Sequence, residues 1–337
     1  MTAMDNVLSD GFVRLLREIS SPAAVRRAED DGDAADILRE VEDSGFMDAL
    51  VPESKQGSGL ALADVVPLFL AAGDHLLPIP FAETMVARAL IAGADARAPR
   101  GNTIVFWPAT PSGRLRSQLN PLGAQSSLAL VQRGTAFELF PIQCGDRRAD
   151  SFGMASARPD LDALPLLSFE LPGVDLLQWA AAITAVTMAG AMERMLGMSL
   201  THVNGRKQFG RTLGKFQAIQ QQLSIFAERV VSAQVAARIG LTGSNFILDG
   251  GRVAIAKSIA NESARSCVSI AHAVHGAIGI SEAHDLQLYT RRLARLQVSF
   301  GSEAYWQRFA GELRLGSRET TSVDFVRALL DHPVAYQ

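Results

Sequence analysis

Long helical patterns in the second half of the chain constrain its fold more than any other feature. Apolar residues recur at three- and four-residue spacing over residues 175–203, 216–241 and 253–273. Helices of this length bury their apolar faces most simply against each other. The sequence therefore predicts a C-terminal four-helix bundle over residues 173–337. Shorter helical patterns in the same region cover residues 285–296 and 303–313.

The rest of the chain divides into a helical region and a strand-rich region. Residues 1–98 carry shorter helical patterns and a Gly-rich turn at residues 56–59, which predict an N-terminal helical domain. Residues 99–172 carry short apolar runs separated by Gly, Pro and Asn, which predict a small middle β-sheet domain. A Rossmann unit is excluded because no helical pattern separates the runs and no GxGxxG motif is present. We therefore expect a mainly α protein with a small β domain. The strand-like runs cover residues 104–107, 128–131 and 137–142.

Charge and cysteine content exclude several classes of function. Lys and Arg number 32 against 35 Asp and Glu, for a net charge of -3, so we expect no nucleic-acid partner. The two cysteines, Cys144 and Cys267, form no CxxC pair, which gives no support to a metal site or a disulfide framework. A reducing, cytoplasmic location fits this cysteine usage best.

Neither a signal peptide nor a membrane span is expected. The first 18 residues contain Asp5 and Asp10 and no apolar core of the kind a signal peptide needs. The longest apolar stretch, residues 176–192, is interrupted by Gln178 and is shorter than the roughly 20 residues that a membrane span needs. We interpret it as a buried helix, and its Ala- and Thr-rich run over residues 180–190 predicts close packing against another helix.

Three motifs in the C-terminal half carry a resemblance to a known family. Residues 206–210 read RKQFG, and residues 216–220, at the start of the next helical pattern, read FQAIQ. Residues 274–279 read VHGAIG, and residues 284–292 read HDLQLYTRR. In this order the motifs resemble the R-x-x-F-G…F-Q-x-x-Q, L-H-G-G-I-G and H-D-L-H-L-Y-x-R-R patterns of the acyl-CoA dehydrogenase family. The resemblance implies that family's helical domain, β domain and helical bundle, and FAD as the cofactor.

The residue types at these positions suit a flavin dinucleotide. Arg206 offers a fixed fork of donors for a pyrophosphate, and the Gln217 amide can donate to the same anion. Phe209 can lie against a ring, and the resemblance implies that Arg206 reaches a flavin across a subunit boundary. Gly276 lets the backbone approach a ligand closely. The full set of expected FAD contacts is Arg206, Phe209, Gln217, Ala273, His275, Gly276, Ala277, Ser302, Glu303 and Ala304.

The chain departs from the family at the catalytic base. In the family a Glu removes the α-proton of an acyl-CoA thioester while the β-hydrogen passes to the flavin as hydride, and an electron-transfer flavoprotein then accepts the electrons. The two positions that carry this Glu correspond to Phe300 and to Ala180, which lies 26 residues before Arg206. The positions of the family's acyl-CoA contacts correspond to Gln178 and Ala181. Residues 107–111 only faintly echo the family's flavin loop.

Glu303 is the candidate for a displaced base, since it lies three residues after Phe300. A helix-start carboxylate in solvent is the alternative interpretation of Glu303. His275 is either a hydrogen-bond donor near the flavin or a structural residue. Arg291 and Arg292 hold either a phosphate or a salt-bridged helix face. The weaker candidates for the base are Glu282, Asp285 and Asp175.

Three functions follow from these observations. The first is a working, homo-oligomeric, FAD-dependent acyl-CoA dehydrogenase. The second is a subunit without a base that completes the FAD site of a homologous partner in a heteromeric acyl-CoA dehydrogenase. The third is a flavin-free scaffold protein with this fold. The expected partners are an acyl-CoA substrate, an electron-transfer flavoprotein and either a second copy or a homologous subunit.

Overall fold

The computed structural model describes residues 3–108, 126–143 and 158–331. Within these ranges the N-terminal part is helical as far as residue 93, and a small sheet and a long-helix bundle follow. The N-terminal helices are α1 (Ala3–Ile19), α2 (Pro22–Asp31), α3 (Ala35–Asp43), α4 (Leu62–Asp74) and α5 (Phe81–Gly93).

Helix α2 has no counterpart among the apolar patterns of the sequence, because half of its residues are charged and Val25 is its only large apolar side chain. Capping residues at its two ends define this helix instead. The Ser21 hydroxyl accepts a hydrogen bond from the Ala24 N–H at 3.3 Å, and Pro22 occupies the first turn. Gly32 ends the helix in the left-handed conformation, with φ 69°.

The small sheet lies between α5 and the bundle. Strand β1 (Ile104–Pro108) pairs in parallel with β2 (Leu128–Arg133), which pairs antiparallel with β3 (Ala136–Gln143). Strand β3 also pairs with the short strands β4 (Arg158–Pro159) and β5 (Leu167–Glu170). The three expected strands are therefore confirmed.

The C-terminal half forms the expected bundle. The bundle helices are α6 (Leu176–Gly205), α7 (Gln217–Gly240), α8 (Gly250–His275) and α9 (Leu286–Val298). Hairpin β6–β7 (Lys207–Gln208, Arg211–Thr212) joins α6 to α7, and hairpin β8–β9 (Gly243–Ser244, Ile247–Leu248) joins α7 to α8. Helices α10 (Glu303–Gly316) and α11 (Ser322–Asp331) follow, and α11 has no counterpart among the sequence patterns.

The N-terminal helices join the bundle where α4 crosses α6. A Cβ atom at Gly190 would lie 2.0 Å from the Leu70 carbonyl oxygen, and one at Gly73 would lie 2.1 Å from the Thr187 oxygen. The two helix backbones therefore touch, which only glycine permits here. This contact confirms the close packing expected for the Ala- and Thr-rich run of α6. One hydrophobic core includes buried residues of both helical regions and of the sheet.

No helix in the described part of the chain is both long enough and apolar enough to span a membrane.

Candidate functional site

The RKQFG motif forms the turn from α6 into the β6–β7 hairpin. Arg206 ends α6, and its carbonyl accepts a hydrogen bond from the Leu213 N–H at 2.9 Å, which closes the hairpin. Phe209 lies at the tip with φ 50° and is 87% exposed. Within the described residues, no hydrogen bond or ion pair involves the Arg206 guanidinium. The motif therefore presents an unsatisfied guanidinium and an exposed ring on one surface.

The FQAIQ motif begins α7 beside that hairpin. The Phe209 and Phe216 rings meet edge to face with centroids 6.1 Å apart, and the Arg211 guanidinium lies 4.0 Å from the centre of the Phe216 ring. Gln217 is the exposed first residue of α7, and no side chain caps this helix. The first N–H groups of a long helix then face solvent at its electropositive end, which favours an anion.

A stack of histidines connects the VHGAIG motif to α6. The His275 ring lies over the His202 ring with centroids 4.5 Å apart. The His284 ring meets the His275 ring edge to face, with centroids 5.1 Å apart. His275 Nδ1 lies 2.8 Å from the Ala271 carbonyl, and its Nε2 is buried without a hydrogen-bond partner among the described residues. Sequence reasoning missed His202, because nothing in the sequence indicates that it meets His275.

Two histidines of this stack, His202 and His275, favour the neutral form. Burial is the main cause that lowers the pKa of both His202 and His275. The neighbouring His284 and Arg206 lower the pKa of His202 further. A neutral His275 that donates from Nδ1 to Ala271 leaves Nε2 as an acceptor. Gly276 follows with φ 61° and ψ −145°, a conformation that glycine alone adopts readily. Ala273, Gly276 and Ala277 are all exposed at this turn.

Phe300 is held firmly at the position where the family carries a base. It follows α9 with φ 53° and is 5% exposed. The Trp306 Nε1–H donates to the Phe300 carbonyl at 2.9 Å. The next residue, Gly301, has φ 102°, and a Cβ there would lie 2.3 Å from Trp306 Nε1. The segment is thus fixed by its backbone as well as by its buried ring.

The Phe300 ring lines a cavity of about 60 Å³ between α4, α5, α6 and α9, named here the Phe300 cavity. Pockets that hold small molecules are usually about 300–1,000 Å³, so this space is far too small for an acyl chain. Thr184 and Thr187 line it from α6, and Glu83 lines it from the first turn of α5. Sequence reasoning missed Glu83, which is 8% exposed, because an acidic residue in a helical pattern usually faces solvent.

The other predicted base and substrate positions contribute no carboxylate to this cavity. Ala180 is fully buried one turn before Thr184, whose hydroxyl donates to the Ala180 carbonyl at 2.7 Å. Gln178 Nε2 donates to Asp175 Oδ2 at 3.3 Å and lies beside Gly250 rather than at the cavity. Ala181 is also fully buried and does not line the cavity.

Glu303 lies in the first turn of α10, outside the Phe300 cavity. Its Oε2 lies 2.5 Å from Arg265 Nη2, and its Oε1 accepts from Gln307 at 3.2 Å. Ser302 caps α10, with its hydroxyl accepting from the Tyr305 N–H at 3.4 Å. The structure therefore gives Glu303 the surroundings of a helix-start carboxylate, and Ser302 and Ala304 are exposed beside it.

The weaker candidates for the base have structural partners. Asp285 pairs with Arg26 at 2.7 Å, and Asp175 caps α6. Glu282 is exposed. Arg291 and Arg292 both pair with Glu29 of α2, at 3.1 and 2.6 Å, which confirms the salt-bridged interpretation of this pair.

Two further expectations concern the sheet and metals. Trp107 and Pro108 end β1. Residues 109–111, the rest of the segment that weakly resembles the family's flavin loop, lie outside the described residues. Among the residues that the structure describes, no group of three or more His, Cys, Asp or Glu side chains could hold a metal ion.

Comparisons with known proteins find a family match in the C-terminal half. Residues 174–310 match the family described as "Acyl-CoA dehydrogenase, C-terminal domain". The chain is 25% identical over 313 residues to acyl-CoA dehydrogenase IpdE2 of Mycolicibacterium smegmatis, covering 87% of this chain and 93% of the relative. It is 26% identical over 296 residues to IpdE2 of Mycobacterium tuberculosis, covering 85% and 89%.

Solved structures share the fold along nearly the whole chain. The Tcur3481–Tcur3483 steroid ACAD has a TM-score of 0.80 at 19% identity, covering 93% of this chain and 98% of the other. The ChsE4–ChsE5 complex of Mycobacterium tuberculosis has a TM-score of 0.75 at 19% identity, covering 95% and 99%. The resemblance drawn from the motifs and the expected mainly α fold with a small β domain are confirmed.

Proposed function

We propose, because residues 174–310 match the acyl-CoA dehydrogenase C-terminal domain family, that this chain is the base-lacking subunit of a heteromeric acyl-CoA dehydrogenase. The observation that carries the proposal is the Phe300 cavity. A buried aromatic ring and a buried methyl group, Phe300 and Ala180, occupy the two base positions, and the space beside the ring is only about 60 Å³. An acyl-CoA thioester therefore has no room at that place, and neither of the two family base positions carries a carboxylate in this chain.

The flavin-side residues, in contrast, suit a shared FAD site. Arg206 has no protein partner within the described residues, and the first turn of α7 is uncapped beside the exposed Gln217. A guanidinium fork and free helix N–H groups are good partners for a pyrophosphate. Phe209 is too exposed to serve this chain's own core, and it is available to lie against a ring or a partner. These groups would hold FAD from the outside of the bundle.

The roles of this chain and of its partner subunit follow from this arrangement. FAD, when bound, supplies the acceptor for the β-hydride of the acyl-CoA. Arg206 and Gln217 of this chain hold the pyrophosphate, and the histidine stack beside them fixes the end of α6. The partner supplies the carboxylate that takes the α-proton, and shielding that carboxylate from water makes it a stronger base. We further propose a cytoplasmic complex whose electrons pass to an electron-transfer flavoprotein.

The descriptions of the relatives support these roles for two different subunits. One of the solved structures that share this fold is described as a complex of two different chains, ChsE4 and ChsE5. Another is described as a steroid ACAD. A heteromeric enzyme for a bulky acyl-CoA thioester agrees with both descriptions.

The test compares released flavin and turnover for this chain alone and for the chain co-expressed with a homologue that has Glu at either base position. We expect dye reduction with an acyl-CoA only in the co-purified complex, with flavin bound. Arg206→Ala should lower the flavin content of that complex. Arg39→Ala, which removes an exposed arginine of α3 outside the motifs and the expected FAD contacts, is the matched control.

The other two functions give different results in the same test. Turnover by the chain alone, abolished by Glu303→Gln, would establish an independent dehydrogenase. Absence of flavin from both the single chain and the co-purified complex would establish a scaffold protein.

A further inference from the structure

A second cavity, of about 300 Å³, lies at the C-terminal end of α5, and its volume is at the lower limit for small-molecule sites. Two segments line it, residues 48–56 after α3 and residues 88–100 from α5 toward β1. It is named here the Arg97 cavity. None of its lining residues belongs to the three motifs or to the Phe300 cavity. We propose that the Arg97 cavity binds a small phosphate-bearing anion.

The charges that line this cavity are mostly positive. Lys55, Arg88, Arg97 and Arg100 face only two carboxylates, those of Asp48 and Asp95. The cationic groups come from both lining segments, so the fold brings together charges that are distant in sequence. An excess of cationic groups around a concave space attracts anions more strongly than the same groups on a flat surface.

Two of the four cations already have partners. Arg88 is only 3% exposed, and its guanidinium donates to Glu42 at 2.6 Å and to Asp48 at 3.1 Å. Lys55 pairs with Asp95 and also donates to the Ala92 carbonyl at 2.7 Å, which offsets the electronegative end of α5. These pairs form the rigid floor and one side of the cavity.

The other two cations have no carboxylate of their own. Arg97 Nη2 donates to Gln56 Oε1, a neutral amide, at 3.2 Å, and within the described ranges no carboxylate lies within 4 Å of its guanidinium. Arg100 Nη2 lies 3.7 Å from Asp48 Oδ2, beyond hydrogen-bond distance, and Asp48 is shared with Arg88. Three carboxylates, those of Glu42, Asp48 and Asp95, thus accompany four cations, which leaves one surplus positive charge at the cavity.

The hydrogen-bonding geometry of the two guanidinium groups favours a phosphate as the ligand. A guanidinium presents parallel N–H donors that match two oxygens of a phosphate, and such charge-assisted bonds are stronger than those between neutral groups. The Ser54 side chain, which also lines the cavity, adds a hydroxyl donor. A phosphate occupies only part of the space, which leaves room for a small organic group attached to it.

The test measures the thermal midpoint of the full chain as inorganic phosphate or AMP replaces chloride at constant ionic strength. A ligand that binds only the folded state raises the midpoint with its concentration. We expect both probes to raise the midpoint of the wild type and of Arg206→Ala, which lacks the proposed pyrophosphate fork. Adding both Arg97→Gln and Arg100→Gln to either protein, the double variant in the case of the wild type, should remove most of this response. A larger response to AMP would identify a phosphate ester as the ligand, and an equal response would identify free phosphate.

The control variant is Arg39→Gln, which removes an exposed arginine of α3 that pairs only with Asp36. It should respond as the wild type does, since any general salting effect of phosphate acts on all variants. Calorimetric titration of the wild type with phosphate gives a second measurement should the double variant not fold. The proposal is wrong if that titration shows no saturable binding or if the double variant responds as strongly as the wild type.

Discussion

Individual side chains at two buried positions carry the proposal that this chain has no catalytic base of its own. A carboxylate that removes an α-proton must be shielded from water and must reach the substrate. Phe300 and Ala180 are shielded but carry no carboxylate, whereas Glu303 carries a carboxylate but is paired with Arg265 outside the Phe300 cavity. The requirements for a base are therefore met at none of these three positions.

Replacing Phe300 by Glu tests whether the absence of a carboxylate at this position is all that prevents acyl-CoA turnover by the single chain. We expect Phe300→Glu to give no acyl-CoA turnover in the single chain, because a cavity of about 60 Å³ does not admit the substrate. The buried carboxylate should lower the unfolding free energy by about 1–3 kcal/mol. Phe300→Leu, which keeps the site apolar, is the control in both dye-reduction and urea-unfolding measurements. Dye reduction by Phe300→Glu alone would show instead that this chain has a working acyl site.

A fully buried lysine predicts an unusual dependence of stability on pH. Lys257 Nζ donates to the Leu296 carbonyl at 2.7 Å and to Asn261 Oδ1 at 2.8 Å, and burial lowers its pKa from 10.5 to about 7. Between these two pH values the unfolded chain binds a proton that the folded chain does not. Folding stability should therefore rise with pH in this window, by up to about 1.4 kcal/mol per pH unit for one proton.

Lys257→Met removes this contribution, so the difference in unfolding free energy between wild type and variant should change across the window. Urea unfolding of both proteins at its two ends measures the difference. Burial raises the pKa values of Cys267 and Tyr289 to about 12, and their opposite effect on stability cancels in the comparison. A difference that is independent of pH would contradict the lowered pKa of Lys257.

At the scale of the elements, the helix crossing and the helix ends were predictable to different degrees. The Ala- and Thr-rich run in α6 correctly indicated close packing, since small residues allow helix backbones to approach each other. The run does not indicate its partner, and the contact between Gly190 and Leu70 of α4 is visible only in the structure. Helix α2 was missed because its signal lies in Ser21 and Pro22 rather than in apolar spacing.

Adding one methyl group at the crossing tests this contact. Gly190→Ala would place a Cβ 2.0 Å from the Leu70 oxygen, so the α4 and α6 backbones must move apart. We expect the unfolding free energy to fall by about 1–3 kcal/mol or more. Gly197→Ala in the same helix has nothing within 4 Å of the new Cβ and should be stabilising by up to about 1 kcal/mol. Equal effects of the two substitutions on urea unfolding would refute the close contact.

At the scale of the whole molecule, the sequence motifs correctly predicted the family resemblance and the order of helices and strands, and the absence of a base stays a prediction. Spacing from Arg206 and the YTRR motif was sufficient to identify Ala180 and Phe300. The motifs did not identify Glu83, His202 or Lys257, because their importance depends on neighbours from distant helices. Counting along α6 also assigned Gln178 to the substrate, and this assignment stays a prediction, since the structure shows only that the Gln178 amide donates to Asp175.

The continuous core leads to a prediction about how the three proposed domains unfold. Buried residues of the N-terminal helices, of the sheet and of the bundle belong to one hydrophobic core, and the Gly73–Gly190 crossing lies inside it. Separating the proposed domains would expose these faces to water, at a cost of about 25 cal/mol for each Å² of apolar area. We therefore expect one cooperative transition, with far-UV circular dichroism and tryptophan fluorescence changing at the same urea concentration.

Trp107, Trp179 and Trp306 report on the sheet, α6 and α10 respectively, so single-tryptophan variants can follow each region separately. Distinct midpoints for these three probes would show that the regions unfold independently, and the shared core would then contribute little to their coupling.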